Sequence, residues 1–338
     1  MRVTDMARSW GRARIAAAAV ALVASVLAGC NGPRSDGAAD GLAPVPVRAV
    51  GVAAIGVGSV LHLYSDEGAP PVRPIAATRA NGEGAVTWLG HAGFWIRLAG
   101  RSILIDPMLS ERLDFLLPLG PRRVAAAPSV AAIERLDAVL ITHADHDHFD
   151  LPTLRRLAAR FPGARLVVPS GMAAARDDTG FAATVELEPG RRFDLGRLRL
   201  TSVPVYHYGR RDLVGLAPTP AVGWVVEGGG LRVFHSGDTA YGPTFRALGA
   251  RHGRFDLALV PIGAYEPPAF FRAVHAAPED AVAIAVDLRA RRAVGHHWGT
   301  FALGPERPRE ASRRFVEAAR GRVDARVLAV GETMTIGR

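Results

Sequence analysis

Nine consecutive residues, Thr142-His143-Ala144-Asp145-His146-Asp147-His148-Phe149-Asp150, restrict what this chain can fold into more than any other stretch. Six of these side chains are imidazoles or carboxylates, and they follow directly on the apolar run Ala138-Val139-Leu140-Ile141. A short apolar run bounded in this way reads as a buried strand, so the polar cluster sits at a strand end. Crowded carboxylates and imidazoles are costly to hold together unless something positive neutralises them, and a metal ion does that best. The fold must therefore bring this strand end to a rim where further ligands can gather.

The flanking pattern supplies such a fold. A domain is expected to start at Gly84, with strands over residues 85–89, 94–98 and 102–105 forming an antiparallel meander around Gly100. Asp150, with Pro152 just inside, reads as the N-cap of a helix running to about residue 160. Further strands are expected at 165–168, 184–187, 198–205, 223–226, 231–234, 255–260 and 292–295, with two short ones within 326–336. Helices are expected near Met172 and over 278–288 and 308–319. Strands cluster as meanders and then alternate with helices, twice over. This predicts an α/β fold of two similar αβ halves, sheet packed on sheet with helices outside, in four αββα layers. Polar residues at strand ends, namely His143, Asp145, Asp147, His148, His207, Asp238 and His297, would then meet at one rim.

A formal charge of +9 points at first to nucleic acid or an anionic surface. However, all 41 basic residues are arginine and they are scattered through an Ala- and Gly-rich chain, which reads as coding bias. No nucleic-acid partner is expected. The N-terminus says more. Arg2, Arg8, Arg12 and Arg14 precede an uncharged stretch that ends in Leu27-Ala28-Gly29-Cys30, and Cys30 is the only cysteine. This resembles a bacterial lipoprotein signal, so residues 1–30 are expected to be a signal peptide with Cys30 as the lipid-carrying residue. Several acyl chains there would give durable attachment to membrane lipid, on the periplasmic side of the bacterial cell envelope. Asn31 in place of an aspartate favours the outer membrane over the inner. Residues 31–83 read as a Gly-, Ala- and Pro-rich tether. Within it, the apolar segment 49–63 is shorter than the roughly 20 residues of a membrane span. Residues 84–338 form the expected domain. Nothing in the sequence sets the oligomeric state.

The strand-end residues, with Ser236-Gly237-Asp238-Thr239 and His297-Trp298-Gly299-Thr300, resemble the metallo-β-lactamase fold superfamily over roughly residues 84–331. Four further segments are similar to the branch containing N-acylphosphatidylethanolamine-hydrolysing phospholipase D. They are Trp88-Leu89-Gly90-His91, Gly263-Ala264-Tyr265-Glu266-Pro267, His275 with Pro278-Glu279-Asp280-Ala281, and residues 297–303. The resemblance implies two divalent metal ions, zinc in the first instance. His143 and His207 would hold one, Asp147, His148 and His297 the other, with Asp238 bridging. It also implies catalytic parts for Asp147 and for His275, which matches a histidine lining the active site in that branch. Tyr265 and Glu266 would shape the pocket.

One position departs from the pattern. Asp145 stands where the family motif has its second histidine, and His146 follows one residue later. A shifted register using His146, His148 and Asp150 puts Leu151 at the last histidine position and takes Asp150 from the helix cap, so the first register is preferred. Either Asp145 is itself a ligand or His146 swings in, with Asp145 hydrogen-bonding behind. With two divalent ions, one hydroxide and two aspartates the implied site carries a net +1, and Asp145 as a third carboxylate brings it to zero. That change would raise the pKa of a bridging water and shift preference toward iron or manganese.

The expected activity is hydrolysis by a metal-bridged hydroxide, on a phosphodiester such as an N-acyl phospholipid. The alternatives are a lactonase acting on a small, sugar-phosphate-like lactone, and a tethered metal-binding protein whose catalysis Asp145 impairs. The expected partners are membrane lipid through Cys30 and a lipid or small-molecule ester substrate.

Overall fold

The computed structural model describes residues 69–75, 84–113, 122–172, 177–209 and 219–337. Its strands run in chain order as β1 Ala85–Gly90, β2 Gly93–Leu98, β3 Arg101–Ile105, β4 Ala138–Leu140, β5 Arg165–Pro169, β6 Ala183–Leu187 and β7 Arg192–Leu195. They continue as β8 Leu198–Gly209, β9 Thr219–Gly228, β10 Leu231–His235, β11 Leu257–Pro261, β12 Arg292–His296, β13 Asp324–Arg326 and β14 Thr333–Thr335. The helices are α1 Leu151–Arg160, α2 Thr244–His252, α3 Pro268–Phe271, α4 Pro278–Asp287 and α5 Pro308–Ala318. Among the described residues the strands form two seven-stranded sheets, ordered β14-β1-β2-β3-β4-β5-β6 and β13-β12-β11-β10-β9-β8-β7. Each sheet is mixed: β1 to β3 form the expected antiparallel meander and β3 to β6 run parallel. In the second sheet β7 to β10 are antiparallel and β10 to β13 parallel.

The two-residue period of a strand sorts each side chain to one of two cores. Phe94, Ile96, Ile103, Ile105, Ala138 and Leu140 face the second sheet, where they meet Val203, Trp224, Val226 and Phe234. The alternate residues Trp95, Leu104, Val139 and Ile141 pack instead with Leu154 and Leu157 of α1. On the second sheet, α4 lies on β11 and β12 and packs against α2 and α5. The expected four αββα layers are therefore present. Hydrogen bonds join the sheets at the polar rim, among them Trp224 Nε1 to Ile141 O (3.1 Å) and Val222 N to Thr142 O (2.9 Å).

Several expectations are corrected. Helix α2 was not foreseen, because Gly249 breaks its pattern. That glycine is a packing requirement, since a Cβ there would lie 2.1 Å from Asp287 O. The edge strand β7 was also not foreseen; only Leu195 of its four residues is buried. Strand β8 runs four residues past its expected end, through an irregularity between Pro204 and Tyr208. Strand β13 begins at Asp324, ahead of the expected 326. Asp150 does occupy the N-cap of α1, but its carboxylate makes no capping bond. It accepts instead from Leu109 N (3.1 Å) and Ser110 N (2.9 Å), folding the loop after β3 onto the helix start.

Part of the expected tether is docked on the domain. Val72 bridges Val330, and Arg73 N donates to Val330 O at 2.7 Å. The signal segment with Cys30, the apolar stretch 49–63 and most of the tether lie outside the described residues, as does part of the helix expected near Met172. No helix among the described residues is long and apolar enough to cross a membrane.

Arg123 ties the loop before β4 to the end of β1. Its buried guanidinium donates to Ala125 O (2.7 Å), Met108 O (2.6 Å) and Leu89 O (2.6 Å), two residues before His91. Burial pushes its pKa down to about 10. Arg123→Met leaves these carbonyls without donors and is expected to cost about 3 kcal/mol, measured as a lower denaturant midpoint with an unchanged slope.

Candidate metal centre

The seven expected side chains come together, each from the C-terminal end of a strand or the loop after it. His143, Asp145, Asp147 and His148 follow β4, where His148 N and Phe149 N both bond Asp145 O (3.0 and 2.8 Å). His207 lies in the irregular part of β8, and local disruption of a ladder is a common way to re-aim a side chain at a site. Asp238 follows β10 and His297 follows β12. The rim is conformationally strained. His91, Asp106 and His297 have φ of 53°, 44° and 61°, a left-handed region costing roughly 1–3 kcal/mol per non-glycine residue unless its surroundings hold it. Gly263 makes room for one of them, since a Cβ there would lie 1.9 Å from His297 O.

The donors fall into two groups. In the first, Asp145 Oδ2 lies 3.5 Å from His143 Nε2 and 3.6 Å from His207 Nε2. In the second, Asp147 Oδ2 lies 3.4 Å from His297 Nε2 and 3.7 Å from His148 Nε2. Asp238 faces both groups: it clusters with His143 and His148, and also with His207 and His275. Its Oδ2 is 3.0 Å from His297 Nε2 and 3.3 Å from His148 Nε2. Of the two alternatives at this position, Asp145 lies in a donor cluster and His146 in none of them. Asp150, which the shifted register would need, instead accepts from the loop after β3.

A single buried carboxylate sets two ring tautomers. Asp106 Oδ2 accepts from His148 Nδ1 (2.8 Å) and from Thr142 Oγ1 (2.6 Å). Thr142 Oγ1 in turn accepts from His143 Nδ1 at 2.9 Å. His207 Nδ1 donates to Val274 O at 2.9 Å. All three rings are thus turned with Nε2 toward the site, the arrangement expected of imidazole ligands held from behind. The Nε2 atoms of His143, His148, His207 and His297 and Oδ1 of Asp238 are buried without hydrogen-bond partners among the described residues. Each such orphan costs roughly 1–3 kcal/mol, and one or two cations would satisfy all five. Imidazole with carboxylate is a donor set that zinc, iron and manganese accept. The residues fit a metal.

The electrostatics agree. Burial alone would drive His148 and His297 toward the neutral form, yet the facing carboxylates of Asp238 and Asp147 outweigh it. His148 is raised well above the usual range and His297 to about 9. Against the same burial penalty, the neighbouring imidazoles hold Asp147 and Asp238 well below the carboxylate range. A raised histidine keeps its proton at neutral pH, and a metal must displace that proton to bind. Metal affinity is therefore expected to climb as pH rises toward 9, with at least two protons released per chain near pH 7. Calorimetry in buffers of different ionisation enthalpy counts them.

His275 stands apart. Its ring follows α3, is 11% exposed, and places Nδ1 3.8 Å from Asp238 Oδ2, with its centroid 5.1 Å from that of His207. Burial lowers its pKa to about 3, so it is neutral. His296 turns away from these donors and stacks on His235 in the core (4.9 Å). Tyr265 is buried under the Arg314 guanidinium, 4.8 Å from its ring. Sequence reasoning underrated two residues, Asp106 and His91. A strand ending in Asp106-Pro107 and a histidine after Gly90 were signals, but the left-handed backbone that places them leaves no trace in composition or period.

The comparisons with known proteins agree with this architecture. The family model described as a β-lactamase superfamily domain matches residues 101–298, more than half of the chain. The N-acyl-phosphatidylethanolamine-hydrolyzing phospholipase D 1 of Caenorhabditis elegans is 31% identical over 265 residues, covering 73% of this chain and 74% of its own. A metal-dependent hydrolase of Rubrobacter xylanophilus is 31% identical over 239 residues, 69% of this chain and 88% of its own. Among solved structures, a metallo hydrolase from Ignicoccus hospitalis superposes with a TM-score of 0.56 at 23% identity, over 75% of this chain and 97% of its own. Fold, donor clusters and family model converge: the chain belongs to the β-lactamase superfamily, as a metal-dependent hydrolase with the metallo-β-lactamase fold.

Proposed function

We propose that this chain is a phosphodiesterase that cleaves an N-acyl phospholipid at a centre for two divalent metal ions. The observation that carries this reading is the pair of facing donor groups with Asp238 between them, their Nε2 atoms buried and unpartnered. The likeness to the worm phospholipase D supports the substrate class. His143, Asp145 and His207 would hold one ion and Asp147, His148 and His297 the other, with Asp238 shared. Ions held there supply Lewis acidity and an acidified water.

The protein's own groups do the rest. Asp106 and Thr142 keep His143 and His148 in one tautomer. Asp238 neutralises charge on both sides of the site, and Asp147 does so on the second. His275, neutral and with Nδ1 on the Asp238 side, is placed to donate to a phosphoryl oxygen as charge grows on it. Hydrolysis adds the water oxygen to phosphorus, breaks the bond to the ethanolamine oxygen and delivers a proton to that oxygen. The products are phosphatidic acid and an N-acylethanolamine.

Attachment through Cys30 belongs to the same proposal. Lipid on that residue would keep the domain at a membrane and raise its effective concentration over a lipid substrate. The test is to assay the metal-loaded full chain against N-acylphosphatidylethanolamine and a panel of lactones in parallel. Release of N-acylethanolamine with no lactone opening is expected. Lactone opening alone would replace the substrate class, and bound metal without turnover on either would make this a binding protein.

A further inference from the structure

His91 is a third imidazole beside the second group of donors, clustered with Asp147, His148 and His297 but outside the ligand set proposed above. It lies in the turn after β1 and is 1% exposed. Its Nε2 is 2.8 Å from Asp147 Oδ2, a hydrogen-bond distance, while its Nδ1 has no partner. A neutral ring carries one proton, and among the described residues the one acceptor it meets is this carboxylate, so the proton belongs on Nε2. Its backbone is fixed from three directions. Its amide donates to Thr300 Oγ1 (2.7 Å), and its carbonyl accepts from Trp88 Nε1 (2.9 Å) and His297 N (3.0 Å). The ring also packs against that of His297 at a 44° tilt, with centroids 4.1 Å apart.

Two of those facts bear on ligands from opposite halves of the fold. Asp147 follows β4 of the first sheet and His297 follows β12 of the second. Both His91 and His297 adopt the left-handed backbone, and the bond from His297 N to His91 O joins them. A residue so held can fix the spacing of the two ligands it touches.

We propose that His91 is a positioning residue for the second metal half-site, holding Asp147 through its Nε2–H and His297 through its backbone carbonyl and ring face. The inference rests on the metal-centre reading above. It assigns His91 no contact with metal or substrate.

The test compares full-length wild type, His91→Gln and His91→Leu by elemental analysis and by competition for zinc with a chromophoric chelator. Glutamine keeps an N–H near the ε position and leucine does not. The wild type serves as the control for the underlying reading: fewer than two ions per chain there defeats the binuclear centre itself. With two ions in the wild type, the leucine variant is expected to bind its weaker ion at least about tenfold less tightly, the usual size of such effects, and glutamine to restore most of the loss. Wild-type affinity in the leucine variant, or a glutamine variant as weak as leucine, overturns the proposal. If the leucine variant does not fold, the ring tautomer in zinc-loaded wild type decides. Long-range proton–nitrogen NMR is expected to show His91 protonated at Nε2, and a proton on Nδ1 with Nε2 bound to metal contradicts the proposal.

Discussion

Asp238→Asn is expected to lower kcat/KM by at least about 10³-fold, which is about 4 kcal/mol of transition-state stabilisation, while leaving the fold intact. Asp238 is the one carboxylate among the described residues that clusters with donors of both groups, with His143 and His207 of the first and His148 of the second. Its Oδ2 is within 3.3 Å of two ligand nitrogens, and its Oδ1 has no other partner. An amide keeps the shape but removes the charge that links the two half-sites. Steady-state kinetics with a phosphodiester, alongside the metal count, check this: one ion or none per chain should accompany the lost turnover. Full activity with two ions bound would show that the two groups do not share a ligand.

The second large effect is on metal choice. Asp145 makes the first donor group two imidazoles and a carboxylate. With three carboxylates around the two ions proposed here, harder metals would gain relative to zinc. Asp145→His is expected to raise the zinc-to-manganese occupancy ratio at least about tenfold when the apoprotein is dialysed against equal concentrations of both. His146→Ala should leave that ratio unchanged, because His146 lies outside the donor clusters. An unchanged ratio in Asp145→His would mean that Asp145 does not choose the metal.

Much of this was legible in the sequence, for identifiable reasons. The αββα layering followed from strand and helix periods, which burial imposes directly on the residues. The metal cluster after β4 was visible because six ionisable groups in nine residues have few other uses. His207, Asp238 and His297 were reached through their motifs, and the structure brings them to the same rim. What stayed hidden depends on backbone geometry or close packing. The irregularity in β8 that aims His207 and the left-handed turns at His91 and Asp106 have no periodic signature. Helix α2 was obscured by Gly249, a residue that weakens a helix on its own and is required by its contact with Asp287 O. The choice between Asp145 and His146 is not legible in the sequence, since adjacent loop residues cannot be told apart by pattern.

The most direct test of the whole account is anomalous diffraction from crystals of the metal-loaded protein. Two metal peaks about 3.5–4 Å apart are predicted, one among His143, Asp145 and His207, the other among Asp147, His148 and His297, with Asp238 touching both. A single peak, or His146 in the place of Asp145, would contradict it.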